Sequence, residues 1–240
     1  MLISPKAILV DLDDTLIDLG ASSLYCWNTL AEKYASDVGV NTEQFKSAIH
    51  RAREWFWADA DRHRIWRIQM DRAREEIVKV ALTELSVTNM RQVPRHFSRN
   101  YDVMLYEKMQ LFGGAVDTLK QWRAAGIKLA LVTNGAGPTQ RRKINTYQLV
   151  PYFDCIVIEG EFGVGKPDAG VYQHAMSQLD STPANTWMVG DRLDWEVAMP
   201  QSLGIRGIWV DLRGNGVPAN SPVKPDLIVR NISEIISQTS

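Results

Sequence analysis

The sequence lacks features that mark several large classes of protein. It contains only two cysteines, Cys26 and Cys155, which lie far apart and match no metal-ligand spacing, so it predicts neither a disulfide framework nor a zinc site. Its 27 Lys and Arg residues nearly cancel its 28 Asp and Glu residues, for a net charge of −1. Such a balanced chain has no bulk field to attract nucleic acid or an anionic membrane. We therefore expect no nucleic-acid partner, and any affinity for phosphate must come from a local site.

Long hydrophobic runs are also absent. The first apolar stretch is interrupted by Lys6 and stopped by Asp11, which makes it too short for a secretion signal, and no later run approaches the length of a membrane span. We expect a cytoplasmic protein with no membrane partner, and either a monomer or a homodimer. The chain of 240 residues is 45% hydrophobic and 23% charged, which is typical of a soluble globular protein with a substantial core.

An acidic stretch follows this first apolar run, and residues 11–15 read Asp-Leu-Asp-Asp-Thr. Carboxylates at a strand end must lie in solvent or bind something cationic, because burying them unpaired is costly. In an extended or tightly turned backbone, Asp11 and Asp13 point to the same side while Leu12 points away. The motif therefore predicts two carboxyl groups in one pocket. An Asx-rich turn without any chemistry is the alternative that this motif alone leaves open.

Five further apolar or β-branched runs are separated by segments of helical periodicity. This alternation predicts an α/β fold with a Rossmann-like, mostly parallel sheet. The runs are Lys128 to Val132, Cys155 to Ile158, Trp187 to Val189, Gly207 to Val210 and Leu227 to Val229.

The region from about Ile17 to Tyr106 differs in kind, because it contains no convincing strand. One helical stripe starts after Asn41, and a second is expected to run without interruption from Trp66 to Val80. We therefore expect an all-helical domain at residues 17–106, inserted into an α/β core that combines residues 1–16 and 107–240.

Polar groups follow three of the later strands, where open α/β sheets bind ligands. They are Thr-Asn-Gly at residues 133–135, Gly-Lys-Pro-Asp at residues 165–168 and Gly-Asp at residues 190–191. Right-handed crossovers allow the first strand to lie centrally, flanked by the second and fourth, so that the carboxyl ends of these strands would meet at one crevice.

With these groups in order, the chain resembles the haloacid dehalogenase superfamily of aspartate-nucleophile phosphohydrolases, whose four motifs are all present. The matching positions are Asp11, Asp13 and Thr15 for the first motif, Thr133 for the second, Lys166 for the third, and Gly190 and Asp191 with the following acids for the fourth. The helical insertion resembles the helical cap of that family.

The resemblance implies Mg²⁺-dependent hydrolysis of a small phosphorylated metabolite. Asp11 would be the nucleophile that forms an aspartyl-phosphate, and Asp13 would protonate the leaving alcohol and then activate water. Mg²⁺ would be bound by the side chains of Asp11 and Asp191 and by the backbone carbonyl of Asp13. Lys166 would help to offset the charge of the phosphate.

The second and fourth motifs would complete the site. Thr133 would hold the phosphoryl oxygens, with Asn134 and Gly135 beside it. The fourth motif departs from the family pattern, because this chain has Glu196 where Asp is common. The second acid of this motif is therefore left open between Asp194 and Glu196.

Other functions also stay open. A sugar phosphomutase could use the same residues and transfer the phosphoryl group to a sugar instead of water. A haloacid dehalogenase lacks the second acid of the first motif, so Asp13 argues against it. A catalytically silent binding module would leave the cost of its buried acids and Lys166 unexplained. The segment Thr133-Asn134-Gly135, followed by Gln140 and Lys143, resembles the same segment in the N-acylneuraminate-9-phosphatase and nucleotidase-like branches of the family.

Overall fold

The computed structural model describes residues 4–90 and 92–238. The chain forms two compact units, one combining the residues up to Asp18 with those from Gln110 onward, and the other spanning Leu19–Met109. We call them the core unit and the helical unit. The predicted fold class, a parallel α/β core with an inserted all-helical domain, is confirmed.

Six parallel strands form the sheet in the described part of the core unit. They are β1 (Ala7–Val10), β2 (Lys128–Thr133), β3 (Cys155–Ile158), β4 (Thr186–Gly190), β5 (Arg206–Val210) and β6 (Leu227–Val229). Their order across the sheet is β3-β2-β1-β4-β5-β6. In the register of the central strand, Val10 pairs with Leu131 of β2 and with Val189 of β4. All the predicted runs form strands, and three of the strands extend one residue further at one or both ends.

The central strand explains where the polar groups emerge. All four residues of β1 are fully buried, so the acids that follow it mark the point at which the chain leaves the apolar core. Because parallel strands end at the same edge of a sheet, the residues after β1, β2 and β4 lie side by side there. This carboxyl edge of the sheet is where the strands contribute to the site.

Among the residues that the structure describes, five α-helices form the helical unit. They are α1 (Leu19–Ala35), α2 (Thr42–Ala58), α3 (Ala60–Trp66), α4 (Met70–Glu84) and α5 (Val93–Lys108). Asn41 caps α2, because its side chain accepts hydrogen bonds from the N–H groups of Glu43 and Gln44. The expectation of an uninterrupted stripe from Trp66 to Val80 is wrong. The backbone leaves the helix at Gln69, with φ −133° and ψ 49°, and the Trp66 ring packs 5.4 Å from that of Phe56 in α2.

The core unit has shorter helices. They are α6 (Ala115–Ala124), α7 (Gly137–Thr146), α8 (Glu159–Phe162), α9 (Ala169–Gln178), a π-helical turn (Leu193–Ala198) and α10 (Met199–Ser202). As expected for an N-cap, the side chain of Asp168 accepts the Gly170 N–H at 2.8 Å and starts α9, which packs Tyr172 into the core beside Leu9. None of the helices in residues 4–90 and 92–238 combines the length and the apolar character that a membrane span requires.

Candidate active site

A sharp turn after β1 presents Asp11 and Asp13 at the carboxyl edge of the sheet. Asp14 takes the left-handed conformation, with φ 58°, and its N–H donates to the carbonyl of Ile17 at 2.7 Å. The hydroxyl of Thr15 donates to Oδ2 of Asp11 at 3.3 Å. The main chain of Asp14 therefore closes the turn, and the short polar side chain of Thr15 holds the Asp11 carboxylate.

Lys166 lies between two carboxylates from different elements. Its Nζ is 2.5 Å from Oδ1 of Asp11 and 2.7 Å from Oε1 of Glu196, and none of the three side chains is more than 9% exposed. Burial alone would lower the pKa of Lys166, but the two carboxylates raise it above its ordinary value, so the ammonium stays charged. Burial raises the pKa of Asp11, and it raises that of Glu196 to about 7 despite the nearby lysine.

Asn134 holds the backbone that carries Lys166. Its side-chain Oδ1 accepts the N–H of Lys166 at 2.7 Å, and its Nδ2 donates to the carbonyl of the same residue at 2.7 Å. A methyl group at Gly165 would come within 2.5 Å of Oδ1 of Asn134, so only glycine permits this close approach. The Asn134 side chain therefore positions the lysine, and the assignment of Asn134 to phosphate binding stays a prediction.

The backbone N–H of Gly135 also has a hydrogen-bond partner within the protein. Its backbone has φ +120°, which favours glycine, and its N–H donates to Oε2 of the buried Glu159 at 2.9 Å. The amide that the sequence assigned to phosphate binding thus has a carboxylate partner inside the protein. Glu159 has no counterpart among the predicted site residues, since an acid at the end of β3 carries no motif that would mark it.

Asp13 contacts two residues of α7 that were noted in the sequence only for their resemblance to family branches. Lys143 Nζ lies 2.8 Å from Oδ1 and 2.7 Å from Oδ2 of Asp13. Gln140 Nε2 donates to Oδ2 of Asp13 at 3.0 Å and to the hydroxyl oxygen of Thr133 at 2.6 Å. The i, i+3 spacing of a glutamine and a lysine on the helix after the second motif is the signal that could have found them. The structure thus brings the first and second motifs together through α7.

The fourth motif separates its two candidate acids. Glu196 is fully buried, contacts Lys166 and accepts the N–H of Arg192 at 2.7 Å. Asp194 is exposed and pairs with the Arg192 side chain at 3.3 Å. A methyl group at Gly190 would come within 2.1 Å of Cγ of Glu196, so the glycine leaves room for this acid. The structure therefore brings Glu196 into the site and leaves Asp194 outside it.

Asp191 adds a further negative charge beside Asp11 and Glu196. Burial, followed by repulsion from Asp11 and Glu196, raises the pKa of Asp191 to about 9. Within the described part of the chain, its carboxylate has no hydrogen-bond or ion-pair partner, although its backbone carbonyl accepts the indole N–H of Trp209 at 2.8 Å. Three carboxylates thus share Lys166 as their nearby cation. A divalent cation fits this donor set, because it would supply the missing positive charge.

The arrangement suits a hard cation that keeps some of its own water. Among residues 4–90 and 92–238, no three His, Cys, Asp or Glu side chains converge to form a metal cage. Mg²⁺ does not need such a cage, since it is usually bound through one or two carboxylates, waters and substrate phosphate oxygens. Asp11 and Asp191, which lie close enough for their charges to repel, supply two carboxylates of this kind.

Comparison with known proteins places this site in a wider context. The phosphoserine phosphatase of Thermus thermophilus is 28% identical over 249 residues, which cover 96% of this chain and 97% of the relative. The N-acylneuraminate-9-phosphatase of Rattus norvegicus is 34% identical over 110 residues, which cover 45% of this chain and 44% of the relative. The crystal structure of the hydrolase YfnB from Bacillus subtilis, bound to magnesium, has the same fold, with a TM-score of 0.78 at 20% identity and 99% of both chains covered.

The family model of haloacid dehalogenase-like hydrolases matches residues 5–204. This range begins before β1 and extends beyond α10, so it includes every residue of the site as well as the helical unit. The chain therefore belongs to the haloacid dehalogenase-like hydrolases.

Proposed function

We propose that this protein is a Mg²⁺-dependent hydrolase of small phosphomonoesters that acts through an aspartyl-phosphate intermediate. The observation that carries the proposal is the Asp11 carboxylate at the end of the central strand, held by the buried Lys166, with a second aspartate two residues later. The relatives named phosphoserine phosphatase and N-acylneuraminate-9-phosphatase support a phosphomonoester as the substrate class.

Two steps follow from the positions of the two aspartates. In the first, an oxygen of Asp11 attacks phosphorus, the bond to the ester oxygen breaks, and Asp13 donates a proton to that oxygen as the alcohol leaves. In the second, Asp13 takes a proton from water as the water oxygen attacks phosphorus. The bond from phosphorus to Asp11 then breaks, which releases phosphate and restores the Asp11 carboxylate.

Charge explains why a lysine and a metal are both needed. A carboxylate that approaches a phosphate dianion to 4 Å meets a repulsion of roughly 8 kcal/mol at an effective dielectric constant of 20. Lys166 lies against Asp11 and offsets part of this repulsion. Mg²⁺, held by Asp11, Asp191 and the Asp13 carbonyl, would offset the rest by neutralising phosphate oxygens. The Thr133 hydroxyl accepts from Gln140 at 2.6 Å and donates to the carbonyl of Asn134 at 3.4 Å, and rotation about its C–O bond can exchange this long bond for one to a phosphoryl oxygen.

Asp13 also distinguishes this proposal from dehalogenation. A halide leaves without a proton, so a dehalogenase has no use for an acid beside the nucleophile. Phosphoryl transfer to a sugar would use the same residues and differs only in the acceptor. Measuring inorganic phosphate and phosphorylated sugar in the same reaction separates the hydrolase from a phosphomutase, and a catalytically silent protein would produce neither.

The first experiment measures hydrolysis of p-nitrophenyl phosphate with Mg²⁺, with excess EDTA, and with Mg²⁺ added back. We expect activity to disappear with EDTA and to return with Mg²⁺. Full activity in EDTA would rule out the proposed metal requirement. Assays of serine phosphate, sugar phosphates and nucleotides under the same conditions would then narrow the substrate.

The second experiment identifies the nucleophile by substitution. Asp11→Asn should lower turnover to background and abolish labelling of the protein by ³²P-labelled substrate. Asp13→Asn should form the labelled aspartyl-phosphate from p-nitrophenyl phosphate in a burst and then stall, because nitrophenolate departs without a proton while the second step still needs a base. A burst in the Asp11 variant would mean that another residue is the nucleophile.

A further inference from the structure

The inner face of α7 buries two polar side chains at the site, although a helix face that packs on a core is normally apolar. Gln140 and Lys143 are 2% and 4% exposed. Burying an amide and an ammonium costs free energy unless each finds a partner. Both find Asp13, which lies 127 and 130 positions earlier in the chain. Two buried polar side chains of α7 are therefore paired with the same carboxylate.

The contacts restrict Asp13 in both of its side-chain torsions. Lys143 spans both carboxylate oxygens, at 2.8 and 2.7 Å, which fixes the plane of the carboxylate. Gln140 anchors Oδ2 at 3.0 Å and is itself fixed by its 2.6 Å bond to the Thr133 oxygen. Oδ2 therefore accepts from two residues and Oδ1 from one. Oδ1 is thus the oxygen better placed to exchange a proton with the leaving group or with water.

Lys166 cannot replace Lys143 in this task. Its Nζ is engaged by Asp11 and Glu196, whereas Lys143 is paired with Asp13. The Asp13 side chain also keeps 23% of its surface exposed, compared with 9% for Asp11. A carboxylate that must reach both a leaving group and a water needs such access, but access also leaves it room to rotate. The ion pair with Lys143 limits that rotation.

We propose that Lys143 and Gln140 are positioning residues that hold the Asp13 carboxylate for proton transfer. This inference rests on the proposed phosphatase function. Catalytic groups lose much of their effect when they move by about 1 Å, so loss of either contact should weaken the steps that need a proton and spare those that do not.

The test compares two substrates of the same enzyme. For a phosphate ester of an aliphatic alcohol, such as glycerol phosphate, kcat/KM depends on protonation of the leaving oxygen, whereas for p-nitrophenyl phosphate it does not. In Lys143→Met we expect kcat/KM to fall about 30-fold for the alkyl ester and to stay within about threefold for the aryl ester. A loss of folded protein would lower both values equally, so their ratio isolates the positioning role.

Three further variants make the result decisive. Lys143→Arg should restore most of the ratio, because a guanidinium can also span both carboxylate oxygens. Gln140→Met leaves Lys143 in place and should lower the ratio by a smaller factor, about threefold to tenfold. Lys120→Met makes the matched change at an exposed lysine that pairs with Asp117, and it should leave the ratio at the wild-type value.

A double-mutant cycle shows whether Lys143 acts through Asp13. In the wild-type background Lys143→Met should slow hydrolysis of the labelled aspartyl-phosphate, whereas in the Asp13→Asn background it should leave the already slow hydrolysis unchanged, since no carboxylate remains to be positioned. Independent losses that multiply would overturn the proposal and make Lys143 a direct substrate contact. An unchanged substrate ratio in Lys143→Met would overturn it as well. An inactive wild-type enzyme would instead refute the proposed function.

Discussion

The two units bury their polar groups in different ways. At the carboxyl edge of the sheet, the core unit places Lys166 between Asp11 and Glu196, with all three side chains almost inaccessible to water. In the helical unit, Arg74 is the buried charge among the described residues, and it meets Asp102, whose side chain is 41% exposed, at 3.5 Å. The charge of the helical unit thus has a partner at the surface, whereas the charges of the core face one another inside it.

The rest of the polar interior of the helical unit is neutral. Arg74 also reaches the Ser98 hydroxyl at 3.4 Å, and its guanidinium lies 4.8 Å from the centre of the Tyr101 ring. The Tyr101 hydroxyl donates to that of Ser23 at 2.7 Å. These bonds satisfy buried groups without crowding like charges. The helical unit satisfies its polar interior without buried carboxylates, and this contrast favours a chemical role for the crowded acids of the core over a role in folding.

Removing the buried cation from each unit should give the largest contrast. We expect Lys166→Met to lower kcat/KM for p-nitrophenyl phosphate by at least about 100-fold, because Asp11 loses the charge that offsets an approaching phosphate. Arg74→Met should leave this value within about threefold and lower the free energy of unfolding by about 1–3 kcal/mol, since Ser98 and Asp102 lose a partner. Activity assays with saturating Mg²⁺ and urea unfolding of both variants measure the contrast. Equal losses of activity would mean that buried charge serves the same purpose in both units.

A smaller effect should follow from filling the space beside Glu196. In Gly190→Ala the new methyl group would lie 2.1 Å from Cγ of Glu196 and 3.0 Å from Cβ of Asp11. The acid must move, so we expect a loss of about 2 kcal/mol in stability together with at least about a tenfold loss of turnover. Gly113→Ala is the matched control, because a methyl group there meets nothing within 4 Å, and it should change stability by less than about 0.5 kcal/mol. Thermal unfolding and turnover of both variants test this; a Gly190 variant as active as the control would show that Glu196 need not stay in place.

The smallest predicted effect concerns a buried thiol of the helical unit. Burial raises the pKa of Cys26 to about 11 from an ordinary value near 9. Above pH 9 the thiol therefore ionises in the unfolded chain before it does so in the folded one. The stability it contributes is complete below pH 9 and is lost as the pH rises toward 11. Between pH 8 and pH 10 the wild type should lose about 1 kcal/mol more than Cys26→Ala.

Urea unfolding at the two pH values measures this difference. Cys155 of the core unit provides the comparison, because its thiol is only partly buried and Cys155→Ala should change the pH dependence less. If Cys26→Ala and the wild type lost stability in parallel, the thiol of the helical unit would not be as well shielded as the structure indicates.

The local sequence pattern was sufficient to predict the strands, most of the helices and many residues of the candidate site. Every predicted strand formed because a run of apolar, β-branched residues between helical segments has little alternative to the interior of a parallel sheet. The break at Gln69 was not predictable in the same way. The apolar spacing from Trp66 to Val80 suits one long helix, whereas in the structure α3 ends at Trp66, whose ring packs against Phe56 of α2, and α4 begins at Met70.

In the candidate site, too, some features follow from local sequence pattern and others from long-range packing. The strand pattern was enough to show that Asp11, Asp13, Thr133, Lys166 and Asp191 follow strands whose ends share one edge of a sheet, because strand order and crossover direction leave few alternatives. Which side chains pair depends on packing between elements that are distant in the chain. Glu196 and Asp194 are two residues apart, and the π-helical turn after β4 directs one to Lys166 and leaves the other in solvent. Lys143 reaches Asp13 across 130 positions of chain, a contact that depends on how α7 packs against the sheet and that no local periodicity encodes.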